Sequence, residues 1–229
     1  MYNNAKFSVS FESISTLNSD SEDDEIDWRR DRSNGSFISN GSEDSEHAHN
    51  FDQDASASIF DSLVEGHEPA NIQLELTALR MSTNASDHQV RRAIVVAFAK
   101  RTAQLITNGT SVREAVAKVF GQFKDLIERS IFDKNATSKA DQVDFMVLLQ
   151  AELTHRDKGE EILLSAATKM VELDVIESEG ILQWWDDAKS SEGAEMQRVK
   201  KQTQKLIDYL NESSEEESSE EEEEEDDSE

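Results

Sequence analysis

The sequence predicts an all-α domain set between two acidic flanks. Three observations carry that reading. Apolar residues recur at three- and four-residue spacing through the middle of the 229-residue chain, and no stretch there alternates as a strand does. The one proline, Pro69, and Gly66, Gly109, Gly159, Gly180 and Gly193 fall where helices should begin or end. Helices of about 15 to 22 residues in antiparallel succession imply stacked helix pairs of the solenoid kind, with a compact bundle as the alternative.

Charge sets the boundaries. The net charge is -27, of which residues 1–54 carry -9, the tail 211–229 carries -13 and the middle only -5. The expected organisation is an acidic, Ser-rich disordered linker at 1–54, a helical domain at 55–210 and a disordered acidic tail at 211–229. A middle segment of 156 residues is large enough for one real core. Phe7, Val9 and Phe11 alternate as one strand would and suggest the trailing edge of a preceding domain.

Within the middle, residues 71–84 predict a helix with Leu74 or Leu76 and Leu79 inward and Glu75 facing solvent. Ser86 with Gln89, and Ser111 with Glu114, have capping-box spacing and place two further helix starts. Val90, Ile94, Phe98 and Leu105 stripe the first of these helices. After Ser111, Val112, Val116, Val119, Phe120, Phe123, Leu126 and Ile127 predict one continuous helix of about five turns, with Gly121 as a point of close packing. Val143, Met146, Val147 and Leu153 stripe the next, and Ile162, Ala166, Met170 and Leu173 the one after.

Several function classes are disfavoured. There is no Walker A loop, no GxGxxG and no GxSxG elbow, so cofactor-dependent or covalent catalysis is not expected. His47, His49, His67, His88 and His155 lack ligand spacing, and cysteine is absent, so neither a metal site nor a disulfide is expected. Acidic flanks would repel nucleic acid. Arg91, Arg92, Lys100 and Arg101, and likewise Arg198, Lys200, Lys201 and Lys205, read as solvated faces paired with nearby acids. With no signal sequence and no apolar run of about 20 residues, a cytoplasmic chain without membrane contact is expected.

Binding of a basic partner is what the remaining features favour. Trp184 and Trp185 are followed at once by Asp186 and Asp187, and Tyr209 leads into a tail with thirteen acids and no base. On helical geometry the two indoles point about 100° apart, and Trp185 is expected to be the more exposed. Ser213, Ser214, Ser218 and Ser219 each have an acid three residues on, the pattern of acid-directed kinases, and phosphorylation there would add negative charge.

The string Asn-Ile-Gln-Leu-Glu-Leu-Thr-Ala-Leu-Arg-Met-Ser-Thr-Asn at 71–84, the helix opening His88-Gln89-Val90-Arg91, then Val119-Phe120-Gly121-Gln122-Phe123 and Trp184-Trp185-Asp186-Asp187 occur in one order. Together they resemble the C-terminal domain of the epsilon subunit of eukaryotic translation initiation factor 2B, in its fungal form, over about residues 55–229. The resemblance implies a two-tryptophan, HEAT-type helical stack that acts as a guanine nucleotide exchange factor without a cofactor. By the same resemblance it would release GDP from the GTPase gamma subunit of initiation factor 2. It implies a catalytic role for Glu75, with Leu74 on the same surface, Ser82 seven residues downstream and Ser58 as a hydroxyl contributor seventeen residues upstream. Two aromatic and acidic boxes would bind the lysine-rich beta subunit of that factor: Trp184, Trp185, Asp186 and Asp187 first, then Asp208, Tyr209 and Glu212 with Glu215, Glu216 and Glu217, where fungal relatives have tryptophan at the Tyr209 position. The rest of an epsilon subunit, a nucleotidyltransferase-like domain and a left-handed β-helix that join the other subunits, is expected to precede such a piece.

Two other readings compete. Initiation factor 5 shares this helical domain and its boxes without exchange activity, and the Leu74-Glu75 to Ser82 stretch separates the two. A general acidic chaperone for basic proteins would depend on the tail alone.

Overall fold

The computed structural model describes residues 43–134 and 136–213, and every regular element among them is helical. In order these are α1 (Glu43–Glu65), α2 (Pro69–Thr83), α3 (Asp87–Thr107), α4 (Val112–Val116), α5 (Lys124–Glu128), α6 (Ala140–Leu153), α7 (Gly159–Glu172), α8 (Ser178–Asp186), α9 (Gly193–Lys200) and α10 over residues 204–213. Helix α1 packs on α3, α3 on α6 and α6 on α8; α4 packs on α7 and α7 on α9. First members of successive pairs thus form one layer and second members the other, which is a HEAT-type stack.

The local rules behind these elements are visible atom by atom. Ser86 closes a full capping box: its Oγ accepts from Gln89 N at 3.3 Å while Gln89 Oε1 accepts from Ser86 N at 2.9 Å. Ser111 makes only half of one, accepting from Glu114 N at 3.3 Å, because the Glu114 carboxylate pairs forward with Lys118 at 2.9 Å. Pro69 opens α2, and Asn84 ends it in a left-handed conformation at φ 53°.

Three expectations change. Helix α1 begins at Glu43, inside the stretch whose composition suggested a linker, and Phe51, Ala55, Ile59 and Leu63 form its buried stripe at four-residue spacing. The five-turn helix after Ser111 is interrupted: α4 passes into a π-helical turn at Ala117–Gly121, and Phe123 leaves helical geometry at φ -109°, ψ 24° before α5 begins. This extra residue per turn keeps Val116, Val119, Phe120, Phe123, Leu126 and Ile127 buried on both sides of the interruption. Gly121 is not a close-packing position, since a Cβ there would meet only Lys169 Cε at an ordinary 3.7 Å.

The core runs through all the pairs. Phe98 meets Phe120 edge-on at 5.3 Å and Phe123 at 6.5 Å, joining α3 to the interrupted helix. In α6 the inward face is Gln142, Phe145, Met146, Leu149, Gln150 and Leu153, with Val143 and Val147 only partly buried beside it. Leu105 and Leu173 likewise pack at the rim of the core. At the turn into α7, a side chain on Gly159 would collide with the Leu153 carbonyl oxygen, which belongs to the backbone and cannot rotate away. We therefore expect Gly159→Ala to lower unfolding free energy by about 1–3 kcal/mol, read as a lower urea midpoint at unchanged slope.

The residues Phe7, Val9 and Phe11 lie outside the described ones. Among the described residues, no helix is long and apolar enough to cross a membrane, and no group of His, Cys, Asp and Glu could hold a metal ion.

Candidate functional site

Two surfaces of the stack carry the residues singled out by sequence, one on the first helix pair and one on the last. The first is built on the α1–α2 hairpin. Gly66, at φ 76°, reverses the chain, and its N–H and that of His67 both donate to Ser62 O at 3.0 Å, closing α1. The hairpin brings α1 and α2 side by side. Ile72 and Leu76 are the inward residues of α2, with Leu79 partly buried. On the opposite face, Leu74, Glu75, Ala78, Met81 and Ser82 are exposed, so of the two leucines offered for the core it is Leu76 that enters. Leu74 and Met81 are the most open large apolar side chains among the described residues, at 71% and 74%.

Across the hairpin, Ser58 Oγ donates to Glu75 Oε1 at 2.6 Å. This short, charge-assisted bond fixes the carboxylate of an exposed glutamate whose side chain would otherwise sample many rotamers. Ser82 does not join them: its Oγ donates to its own helix, to Leu79 O at 2.9 Å, two turns along the same face. The surface therefore offers one held carboxylate on a helix that also exposes two large apolar side chains. Sequence reasoning missed Met81, although its spacing of seven from Leu74 on one helix face was the available signal.

The second surface begins at the C-terminal end of α8. Trp184 is wholly buried, and its Nε1 donates to Gln150 Oε1 at 3.0 Å; Gln150 Nε2 donates in turn to Ser190 O and Met196 O, each at 2.8 Å. Trp185 packs edge-on against it at 6.0 Å and remains partly accessible, as the helical offset predicts. The two acids differ. Asp186 is exposed, whereas Asp187 caps the following 3-10 turn, accepting from Lys189 N at 2.8 Å.

Lys200 departs from its expected place on a solvated face. It is 5% exposed, and its Nζ donates to Trp185 O at 2.6 Å, Ser190 Oγ at 2.7 Å and Ser191 Oγ at 2.8 Å, standing 4.4 Å from the Trp185 ring centre. Burial pushes its pKa down, and the charges of Asp186 and Asp187 oppose that shift. An open groove runs past Trp185, Asp186, Gln197 and Lys200 to Gln204. Gln204 Nε2 donates to Asp208 Oδ1 at 2.8 Å, so the first box and the start of the second share one rim. On α10, Leu206, Ile207 and Leu210 face the core, while Asp208, Tyr209 and Glu212 are exposed, Tyr209 at 64%. Ser213 Oγ donates to Leu210 O at 3.0 Å. Ser214, Glu215, Glu216, Glu217, Ser218 and Ser219 lie outside the described residues.

Of the basic residues expected on solvated faces, Arg91 is the other that is buried. It is 6% exposed and ties α3 to α6 through Asp144 at 2.7 Å and Asp141 at 3.1 Å, with Ser130 O accepting from its Nη1 at 3.0 Å. Arg92, by contrast, pairs at the surface with Asp52 at 3.2 Å.

Comparison with known proteins places these surfaces in context. The W2 family, described as eIF4-gamma/eIF5/eIF2-epsilon, matches residues 141–220, which include the tryptophan box. Translation initiation factor eIF2B subunit epsilon of Schizosaccharomyces pombe is 32% identical over 161 residues, covering 70% of this chain and 22% of that protein. The chain thus spans about a fifth of the relative's length.

Proposed function

Because the chain carries a C-terminal W2 domain of the eIF2B epsilon type, a domain of translation initiation, we propose that it promotes GDP release from the GTPase initiation factor 2. The observation that carries this reading is the Ser58–Glu75 hydrogen bond at 2.6 Å, which joins two residues seventeen positions apart that the resemblance assigns to exchange. GDP on such a GTPase is held by a P-loop lysine and by Mg²⁺ bridging to its phosphates. A carboxylate held in advance on a helix face, with Leu74 beside it, competes for that lysine or disturbs the metal's coordination. The nucleotide then leaves without any covalent bond to the exchange factor.

Grip is assigned to the other end. Asp186, the Trp185 rim, Asp208, Tyr209 and Glu212 form a surface for the lysine-rich beta-subunit tail of initiation factor 2, and phosphorylation of Ser213, Ser214, Ser218 and Ser219 would add to its charge. The remaining subunits of factor 2B would be engaged by other parts of an epsilon subunit.

The test is release of fluorescent GDP from purified initiation factor 2. Glu75→Ala is expected to slow release by about tenfold or more, the change that 1.36 kcal/mol of barrier produces, with the melting temperature unchanged. Release at the wild-type rate would sink the assignment. Asp186→Asn should instead weaken binding while leaving release at saturation intact. Truncation before Trp184 is unsuitable for that comparison, since it removes a core indole.

The second reading, a non-catalytic module of the initiation factor 5 type, has its own support. The matched family spans factor 5 as well, and residues 141–220 contain the box but neither Ser58 nor Glu75. Unchanged release in Glu75→Ala together with weaker binding in Asp186→Asn would favour it.

A further inference from the structure

We propose that Lys200 is a built-in occupant of the tryptophan box, filling the cation site on Trp185 so that an incoming lysine is read at Asp186 and not by the indole face. The proposal rests on the lysine-tail reading given above for what arrives, but the occupancy itself stands on geometry.

An ammonium has three N–H donors, and all three of Lys200 are used, on Trp185 O, Ser190 Oγ and Ser191 Oγ at 2.6–2.8 Å. The same nitrogen lies within cation–π range of Trp185 at 4.4 Å. None of its hydrogen-bond acceptors is a carboxylate, so charge balance comes from Asp186 and Asp187 nearby rather than from a direct pair. An aromatic face, a helix C-terminal carbonyl and two hydroxyls beside two acids is what a foreign lysine would seek. The chain has supplied that lysine itself, from α9, fifteen residues after Trp185.

Two consequences follow for a lysine-rich tail. The inner face of Trp185 is closed to it, and the ring serves as an apolar wall for lysine stems. Exposed Asp186 is then the group that meets the ammonium. Lys200 is accordingly a positioning residue that sets how the box reads its partner.

The decisive variant is Lys200→Ala, which should open the cation site. Titrated with a pentalysine peptide and followed by tryptophan fluorescence, it is expected to bind roughly tenfold tighter than wild type, the scale of a desolvated cation–π contact. A merely structural lysine would tighten binding no more than Lys201→Ala, which removes the same charge from the exposed side of the groove without opening the indole face, and that result overturns the proposal. If neither form binds pentalysine, the lysine-tail reading fails, and butylammonium decides occupancy: a higher melting temperature for Lys200→Ala but not wild type supports it, and no rise overturns it. Should Lys200→Ala not fold, reductive methylation of the wild-type chain, read by peptide mass, replaces it. Lys200 should stay unmodified with and without pentalysine while exposed Lys205 reacts; modification of Lys200 in either state overturns the proposal.

Discussion

Trp184→Ala is expected to cost about 3–5 kcal/mol of unfolding free energy, the range for removing a large aromatic from a packed interior. The indole is wholly buried, so its removal leaves a cavity between α8 and α6 that rigid helices can only partly close. A second loss adds to the first. Gln150 Oε1 would lose its 3.0 Å donor, while its Nε2 is still held by Ser190 O and Met196 O and cannot swing toward water. Trp184→Phe separates the two contributions by keeping most of the volume and losing only the hydrogen bond, at about 1–3 kcal/mol. Urea unfolding of both variants checks this. A loss below about 1 kcal/mol for Trp184→Ala would mean that the indole is not the packed element described. The two tryptophans of the box thus do different things: one supports the last helix pair, and one borders the groove.

Arg91→Ala should be nearly as damaging, at about 3 kcal/mol. The guanidinium side chain is 7% exposed, and the carboxylates of Asp141 and Asp144 are 25% and 24% exposed, so its removal takes the arginine charge from two poorly hydrated acids. It leaves Asp144 with His88 and Asp141 with the Phe132 N–H, and takes the Nη1 donor from the Ser130 carbonyl. Partial exposure of the acids keeps the figure at the low end of the usual range for breaking a buried pair. Arg92→Ala, one residue along, provides the internal control. Its side chain is 57% exposed and pairs with Asp52 at the surface, where about 0–1 kcal/mol is normal. Salt distinguishes them further: 1 M NaCl should erase the small Arg92 effect and leave the Arg91 effect largely intact. Equal urea midpoints for the two variants would contradict the burial of Arg91.

Much of the fold was legible because helical periodicity reports burial directly. Val90, Ile94 and Phe98 are all buried, the Ser86 box is complete, and Trp185 is the more accessible indole. Averages concealed the rest. The four-residue stripe opened by Phe51 was lost in a segment whose mean composition is acidic and polar, although Ala55, Ile59 and Leu63 continue it. A π turn was invisible because its inserted residue preserves the apolar face on which the periodicity argument depends.

Charged residues were the hardest to place. Arg91 and Arg92 are neighbours of the same type, and Lys200 and Lys201 likewise, yet one of each pair is buried and the other is not. What decides is the presence of acceptors contributed by distant segments: Asp141, Asp144 and Ser130 for Arg91, and the α8 end for Lys200. The Ser58–Glu75 contact belongs to the same class. No periodicity predicts it, and only the resemblance paired those positions before the hairpin geometry brought their side chains together.

The stacking order gives the α1–α2 hairpin and the α8–α9 end a relation that neither surface has alone. Helices α3 through α7 lie between them, linked by the packing of α1 on α3, α3 on α6 and α6 on α8. The intermediate pairs act as a ruler. Under the proposed function they fix the span between the tail-binding surface and Glu75, and adding or deleting one pair would change that span while leaving both end surfaces chemically the same.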